Sequence, residues 1–342
     1  MSGIPAALTA ALLFGVATPL AKLLLQPLDP WLLAGVLYLG SGIGLALIKA
    51  VRPGRGLGIA RRDAPWLLAA IVCGGLIAPV LLMWGLARST ASTASLLLNS
   101  EGVFTALIAW FVLRENFDRR IALGMLLIVV GAVVLAWPDA YRADATLPSL
   151  AIAGACLAWA LDNNLTRKVA LADATTIAML KGLGAGAANV TLALLAKAAV
   201  PSPAEFVAAA ALGFASYGVS LVLFVSALRS LGTARTAAYF STAPFAGTLL
   251  SVGLLHEPLT WRLAIAALLM GLGVWLHLTE HHIHRHSHEA MEHEHEHEHD
   301  LHHTHEHDPS IAPRTRHSHW HRHEPVTHSH DHYPDAHHRH PH

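Results

Sequence analysis

Charged residues are scarce in this sequence: Asp, Glu, Lys and Arg make up 13% of its 342 residues, whereas hydrophobic residues make up 54%. A soluble domain carries about a quarter charged residues. Because the apolar residues also form runs too long for a soluble core, the composition indicates an integral membrane protein. The histidines are distributed unevenly, since 24 of the 26 lie within residues 281–342. The chain therefore has a membrane body and a His-rich tail.

Several motifs are also missing. The only cysteines, Cys73 and Cys156, both lie inside apolar runs, so we interpret them as buried small side chains rather than a disulfide framework. The chain has no G-x-x-x-x-G-K-[ST] loop, no nucleic-acid motif and no long soluble segment that could host catalysis. The first basic residue is Lys22, so we expect the first apolar run to be a retained span, not a cleaved signal. These absences predict a protein that is not an enzyme, requires no cofactor, does not bind nucleic acid and draws its energy from a gradient.

The apolar runs match the thickness of a bilayer at 1.5 Å per helical residue. We predict an all-α integral membrane protein with ten transmembrane helices. Their expected bounds are 4–25, 31–50, 65–87, 91–113, 120–137, 149–170, 175–198, 205–228, 233–255 and 261–279.

Basic residues predict the orientation of these spans. The loop 49–64 and the later junctions on the same side carry 12 Lys and Arg, whereas the other side carries Arg88, Arg142, Lys197 and Arg262. The positive-inside rule places the richer side in the cytoplasm. Both termini, and with them the His-rich tail, are then expected to be cytoplasmic in a protein of the inner (plasma) membrane.

The sequence also contains an internal repeat. A shift of 142 residues aligns Glu115, Arg120 and Gly131 with Glu257, Arg262 and Gly273, and a shift of 144 aligns Asp29, Gly40 and Gly42 with Asp173, Gly184 and Gly186. Each copy has five spans, an odd number, so the second copy must insert upside down relative to the first. We therefore expect two inverted five-helix repeats, 4–137 and 149–279, an arrangement typical of secondary transporters.

The sequence resembles the EamA-type branch of the drug/metabolite transporter superfamily. The likeness covers about 4–280, leaves out the tail, and is carried by the 5+5 architecture together with a few short motifs. These are Phe14-Gly15 and Trp159-Ala160 at the start of each half, Lys22 and Arg167 near the ends of those spans, and the Glu turns RENFDRR (114–120) and HEPLTWR (256–262). The resemblance implies a secondary carrier that moves small solutes, often outward, without naming the solute.

The fourth span carries one acidic residue near its middle. Glu101 follows Asn99, and the matching position of the second copy holds Pro244. Because proline removes a backbone donor, it leaves a carbonyl oxygen without its helical partner. Ionisable groups at membrane depth are costly and usually functional, so we predict a site for a cation or a proton-coupled solute. The alternative is that Glu101 is a structural hydrogen-bonding group.

A second polar cluster lies in spans six and seven. Asp162, Asn163 and Asn164 form a polar step in span six, and Lys181 lies at about the same depth in span seven. We therefore predict an ion pair between Asp162 and Lys181. Two roles are open for it, a substrate-linked one and a purely structural one that fixes helix packing.

The tail, residues 281–342, has little that could form a core and is expected to be disordered. Neutral imidazole suits Zn, Ni and Co, and neighbouring carboxylates add charge. An expression tag and a pH-sensitive polyampholyte are the alternatives to metal capture. The expected metal ligands are His293, His295, His297, His299, His302, His303, His305 and His307.

These features predict a carrier, acting as an exporter, of a small solute such as a divalent transition metal (Ni, Co or Zn) or a metal complex, with the cytoplasmic tail binding metal. One alternative is a metabolite or drug exporter whose tail only buffers metal. The other is a non-transporting membrane metal sensor or scaffold. The expected partners are the lipid bilayer and the transported solute, and the chain could act as a homodimer.

Overall fold

In the structure, a computed structural model, all regular secondary structure described within residues 1–280 is helical. It describes residues 3–51, 59–112, 119–137, 143–169, 172–231, 236, 239–279, 283–288, 291–297, 317–323 and 326–331.

Within the described part of the first half of the membrane body there are eight α-helices. They are α1 (Gly3–Gly15), α2 (Ala17–Leu24), α3 (Pro30–Val51), α4 (Ala64–Ala70), α5 (Ala78–Ala87), α6 (Ala91–Leu97), α7 (Ser100–Phe111) and α8 (Arg119–Ala136). A π-helical segment, Ile71–Ile77, joins α4 to α5, and a short 3-10 turn, Arg61–Asp63, precedes α4.

In the second half, six α-helices lie within the described residues. They are α9 (Ala143–Thr166), α10 (Ala174–Leu195), α11 (Pro203–Gly213), α12 (Ser220–Leu231), α13 (Ala243–Leu254) and α14 (Trp261–Leu278). A π-helical segment, Phe214–Val219, joins α11 to α12, and a 3-10 turn, Arg167–Val169, follows α9.

Local sequence explains where several helices begin. The hydroxyls of Thr90, Ser202 and Thr260 and the carboxylate of Asp173 each accept a hydrogen bond from a backbone N–H in the first turn that follows. Such caps satisfy donors that the helix itself leaves without a partner. At Ser202 the bond is reciprocal, because the Glu205 carboxylate also accepts from the Ser202 N–H.

Length and apolar character make this a multi-pass membrane protein. Among the described residues, six helices are long and apolar enough to cross a bilayer. They are Gly3–Leu24, Pro30–Val51, Arg61–Ala87, Ala174–Leu195, Pro203–Ala227 and Trp261–Leu278. Ala122–Ala136 and Ala243–Leu254 are shorter apolar helices. Large apolar side chains on these helices, such as Leu249 at 74% exposure, face outward as lipid-facing residues would.

Small residues bring helices of the two halves into close contact. A Cβ on Gly182 would lie 2.5 Å from the backbone nitrogen of Gly42, so α3 and α10 meet backbone to backbone. A Cβ on Gly273 would lie 2.5 Å from the Gly124 carbonyl oxygen, so α8 and α14 do the same. Close approach through small residues is how helices associate where the hydrophobic effect gives no help.

Among the described residues, two kinds of helix irregularity recur at the same spacing in the two halves. The π-helical segments begin at Ile71 and Phe214, 143 residues apart. The α6–α7 interruption at 98–99 and the turn at 241–242 before α13 are also 143 residues apart. The repeat predicted from the sequence uses shifts of 142 and 144 residues, which are close to this spacing.

The tail residues 281–333 form a second compact unit. Its strands are β1 (Ile283–His288), β2 (Met291–His297), β3 (His317–His323) and β4 (Val326–Asp331), with β1 antiparallel to β4 and β2 antiparallel to β3. Strands therefore stand where the sequence predicts disorder. The alternation of His and Glu in β2 has the two-residue period of a β-strand.

Candidate functional site

The structure places Lys181 against Asp162, as the sequence predicts. The Lys181 ammonium donates to both Asp162 carboxylate oxygens, at 2.7 and 2.6 Å, and the Thr166 hydroxyl donates to the first of them at 2.9 Å. Asp162 and Lys181 are only 4% and 7% exposed. A buried charge is tolerated when it is paired and hydrogen-bonded, so each of these groups needs the other.

The third span fits around this pair at Gly74. A Cβ on Gly74 would overlap the Asp162 carboxylate, so only glycine leaves room for it. The Gly74 carbonyl, which lies in the π-helical segment, accepts hydrogen bonds from the Tyr38 hydroxyl at 2.7 Å and from the Trp159 indole N–H at 2.9 Å. π-Helical turns often occur at functional sites. Here the turn brings bare backbone to the ion pair.

A neighbouring amide continues this network. The Asn189 side-chain amide donates to the Gly75 carbonyl at 2.8 Å, and its oxygen accepts from the Trp31 indole N–H at 3.0 Å. The sequence interpretation did not single out Asn189, Tyr38 or Gly74. The available signal was that Asn189 is an amide inside an apolar run, GAANVTLALL.

Glu101 lies in the first turn of α7, just after the interruption at 98–99. Its carboxylate accepts a hydrogen bond of 2.8 Å from the side-chain amide of Asn163 on α9. Glu101 is partly exposed and Asn163 is exposed. Spans four and six are therefore joined by this polar contact. The contact lies beside the ion pair because Asn163 directly follows Asp162 in the chain.

Helix periodicity places Asn163 on the side of α9 that faces the bundle, although its side chain is exposed. Leu157 and Leu161, one helical turn apart, form an exposed apolar face of α9. At 3.6 residues per turn, Asn163 lies about 200° around the helix from Leu161. Trp159, also on the Asn163 side of the helix, is buried. The Glu101–Asn163 contact consequently belongs to the interior of the bundle and not to its lipid-facing surface.

The remaining predicted residues have other contacts. Asn99 is 4% exposed, and its amide donates to the Leu96 carbonyl at 3.2 Å. Among the described residues, its side-chain oxygen has no hydrogen-bond partner. The Asn164 amide donates at 2.8 Å to Ala160, within its own helix. Pro244 lies in the first turn of α13, where its carbonyl accepts from Thr248 at 2.8 Å.

Aromatic rings from both halves pack beside this site. Phe14 lies 6.2 Å from Trp159, 5.8 Å from Tyr217 and 5.3 Å from Phe240, measured between ring centroids. Tyr38 lies 5.2 Å from Tyr217. Edge-on and tilted contacts of this kind favour a defined packing, so these rings hold Tyr38 and Trp159 in place where they donate to the Gly74 carbonyl.

The predicted metal ligands divide into two groups. His293, His295 and His297 lie on β2, in register with His321, His319 and His317 of β3. His299, His302, His303, His305 and His307 lie outside the described residues. Among the residues whose side chains the structure describes, no three or more His, Cys, Asp or Glu come together as a metal site.

Comparisons with known proteins agree with the membrane architecture. The EamA-like transporter family matches twice, at residues 1–137 and 146–279. A curated protein of Methanothermobacter thermautotrophicus, described as "Uncharacterized transporter", is 27% identical over 287 residues, which cover 79% of this chain and 84% of that protein. A solved structure titled "Crystal structure of protein" matches with a TM-score of 0.63 and 21% identity, over 80% of this chain and 94% of that one. That structural likeness shows the fold alone. The two family matches span most of the chain, which therefore belongs to the EamA-like transporter family.

Proposed function

We propose that this protein is a secondary-active exporter of a small solute in the inner membrane, with its transport site formed by Glu101, Asn163, Asp162 and Lys181. The observation that carries the proposal is a buried ion pair next to a partly exposed carboxylate, at the junction of spans four, six and seven. Ionisable groups at membrane depth mark solute and proton pathways in transporters.

We further propose ten spans in two inverted repeats. The twofold family match, the 143-residue spacing of the π-helical segments and the equal spacing of the two helix interruptions support this arrangement. In transporters built from inverted repeats, the solute site lies near the mid-membrane beside discontinuous helices. The interruption before α7 is such a place, and Glu101 lies within one turn of it.

The chemistry of the site favours a cation or a proton-coupled solute. Asp162 is neutralised by Lys181, whereas Glu101 is held by the uncharged amide of Asn163. A carboxylate in this setting can hold a proton or pair with a cationic group of the solute. One carboxylate and one amide, backed by aromatic rings, suit an organic solute better than a bare divalent metal, which prefers several oxygen or imidazole ligands.

Replacing the carboxylate tests the transport site. Glu101→Gln keeps the hydrogen-bonding shape but removes the charge, so we expect export to be lost while the protein stays folded. The matched control is Glu205→Gln, since Glu205 is a capping carboxylate at the start of α11. Efflux of a cationic dye such as ethidium, and the Ni, Co and Zn content of cells, are measured with and without the gene. If the Glu101→Gln protein exports as well as the parent, Glu101 is not part of the transport site. If neither protein exports any of these solutes, the non-transporting sensor is favoured.

A second candidate function is export of Ni, Co or Zn, or of a complex of these metals, collected by the tail. The β2–β3 register favours it, because three histidines of β2 stand directly opposite three histidines of β3. Imidazole is a good ligand for these metals. Deleting residues 281–342 would then weaken the tolerance of the host to these metals. If transport survives this deletion at every metal concentration, the tail only buffers metal.

The orientation of the protein in the membrane is tested separately. We expect a thiol reagent that cannot cross membranes to label a cysteine placed beyond residue 281 only when applied from the cytoplasmic side. Labelling from the outside would reverse the orientation. Homodimer formation remains a prediction, to be measured by the mass of the purified protein in detergent.

A further inference from the structure

Lys22 binds the first end of a short turn, residues 88–90, which joins α5 to α6 away from the Asp162–Lys181 pair. Its ammonium donates to the carbonyl oxygens of Leu86 at 2.6 Å, Ala87 at 3.3 Å and Ser89 at 2.7 Å. The Leu86 and Ala87 carbonyls lie in the last turn of α5, where a helix leaves acceptors without intrahelical partners, and Ser89 lies in the turn that follows. The cation and the negative end of the helix dipole attract each other. All three donors of the ammonium are therefore occupied.

Glu257 closes the other end of the same turn. Its two carboxylate oxygens accept from the backbone N–H groups of Ala91 at 2.7 Å and Ser92 at 2.8 Å, which begin α6. The preceding residue, His256, has φ 55°, an unusual conformation for a residue with a side chain. Such strain persists where the surrounding contacts hold it in place. The 88–90 turn is thus held by a cation from the first half of the chain and an anion from the second.

This arrangement holds elements together and is not built to bind a ligand. A cavity of about 480 Å³ lies beside it, lined in part by Lys22, Gln26, His256 and Glu257. Lys22 and Glu257, the charged groups that line this cavity, already have backbone partners. The partners of Lys22 lie 64 to 67 residues away in the sequence, and those of Glu257 lie 165 and 166 residues away. Their contacts tie span one and the 255–260 segment to the junction of spans three and four.

The described helices beneath this turn pack closely against one another. A Cβ on Gly247 of α13 would lie 2.6 Å from the Gly15 carbonyl oxygen and 2.7 Å from the Ser95 hydroxyl. Ser95 is 1% exposed. Spans one, four and nine therefore meet closely at this end. A solute could leave here only if α1, α6 and α13 separated, and that movement would strain or break the contacts of Lys22 and Glu257.

We propose that Lys22 and Glu257 form a latch that keeps the end of the bundle at the 88–90 turn closed and that releases when solute passes. The proposal rests on the transport function proposed above. The two charges act by cross-linking elements that must part, so they are gate residues and not solute ligands. From the distribution of basic residues we expect this end to face the outside of the cell, where the latch acts as an outer gate.

Accessibility of a buried cysteine measures the latch directly. Ser95→Cys reports on the space beneath the turn, and the background from Cys73 and Cys156 is subtracted using the protein without this change. Arg88→Cys, in a separate sample, identifies the face of the membrane on which the exposed turn lies. In the full-length protein in vesicles, an impermeant thiol reagent applied from that face should label Ser95→Cys slowly.

Opening the latch should speed this reaction. With Glu257→Gln or Lys22→Met added, we expect labelling of Ser95→Cys to rise about tenfold, since loss of a charged hydrogen bond shifts an equilibrium by at least that factor. Glu205→Gln, which removes a carboxylate that caps a helix only within its own turn, should leave the rate unchanged. Glu257→Asp, which keeps the charge with a shorter reach, should give an intermediate rate.

The contrary result is equally clear. If neither Glu257→Gln nor Lys22→Met changes the labelling rate while Arg88→Cys reacts as before, the latch does not exist. Should either variant fail to fold, Glu257→Asp carries the test, and a rate equal to the parent's then overturns the proposal. Labelling needs no solute, so this failure tells against the latch alone, whereas undiminished export by Glu101→Gln tells against the transport site alone.

Discussion

The Lys181 ammonium contacts both oxygens of the Asp162 carboxylate, at 2.7 and 2.6 Å, in a setting where both residues are almost fully buried. Spans six and seven, which carry these groups, are consecutive in the chain. Span three fits against the pair only because Gly74 has no side chain. The ion pair is therefore part of how three helices pack, and any role it has in transport must be separated from that structural role.

Neutralising the pair one residue at a time should show what it contributes. We expect Asp162→Asn or Lys181→Met alone to lower stability by about 3–5 kcal/mol, because each leaves an uncompensated buried charge or dipole. The double change should recover much of that loss. Thermal unfolding of the purified protein in detergent measures it, with Lys49→Met as the control for loss of a more exposed partner.

The same double variant separates the two roles. A folded double variant that no longer exports shows that the charges act on the solute or its coupling ion. Full export by that variant would show that the pair only fixes helix packing.

A side chain at Gly74 should disturb the site. Gly74→Ala forces a methyl group into the Asp162 carboxylate, and we expect a loss of about 1–3 kcal/mol together with reduced export. Gly253→Ala is the matched control, since among the described residues no atom outside its own stretch of helix lies within 4 Å of the added methyl position. The control should be neutral or slightly stabilising, because alanine favours a helix over glycine. Equal melting temperatures for Gly74→Ala and the parent would contradict the close contact between Gly74 and the Asp162 carboxylate.

The amide of Asn189 should matter more than that of Asn164. Asn189→Leu removes the partner of both the Gly75 carbonyl and the Trp31 indole N–H, and an unsatisfied buried group costs about 1–3 kcal/mol. Asn164→Leu removes only a bond within its own helix. Melting temperatures of the two variants should therefore differ clearly, and a larger loss for Asn164→Leu would count against the network.

Acid stability should depend in part on Asp173, which caps α10 at the membrane surface. Burial acts to raise the pKa of this carboxyl, but hydrogen bonds from Thr176 and the nearby Lys49 ammonium together hold its pKa below the usual value. A lowered folded pKa contributes stability that is present above the unfolded pKa, about 4. That contribution is lost as pH falls through the folded value.

Asp173→Asn should consequently lower stability at neutral pH and flatten the fall of the melting temperature below about pH 4. Lys49→Met should have a smaller effect in the same direction. An acid limb identical to the parent's would show that Asp173 is not held in this way.

The tail should bind metal independently of the membrane body. We expect calorimetric titration with zinc to show binding that disappears when residues 281–342 are deleted and weakens below about pH 6.5, where imidazole becomes protonated. Changing His293, His295 and His297 together to Ala should reduce the number of zinc ions bound. Unaltered binding after the deletion would place the metal elsewhere in the protein.

Sequence patterns predicted the features that depend on local composition. A run of apolar residues must be helical in lipid wherever it lies, so the long spans follow from hydropathy alone. The Asp162–Lys181 pair could also be predicted, because consecutive antiparallel helices bring residues of equal depth together. The tail was harder to interpret, since alternating His and Glu suit a strand as well as a disordered chain.

Contacts between distant segments were decided only by the tertiary structure. The sequence marks Lys22 and Glu257 as polar residues at span ends, but only packing shows that they hold the two ends of one turn. In the same way, Gly74 is one small residue among many until the Asp162 carboxylate is placed against it. Hydropathy and charge act through the bilayer on each segment separately. Which carbonyl, amide or glycine a side chain meets depends on how the helices pack, and no single segment carries that information.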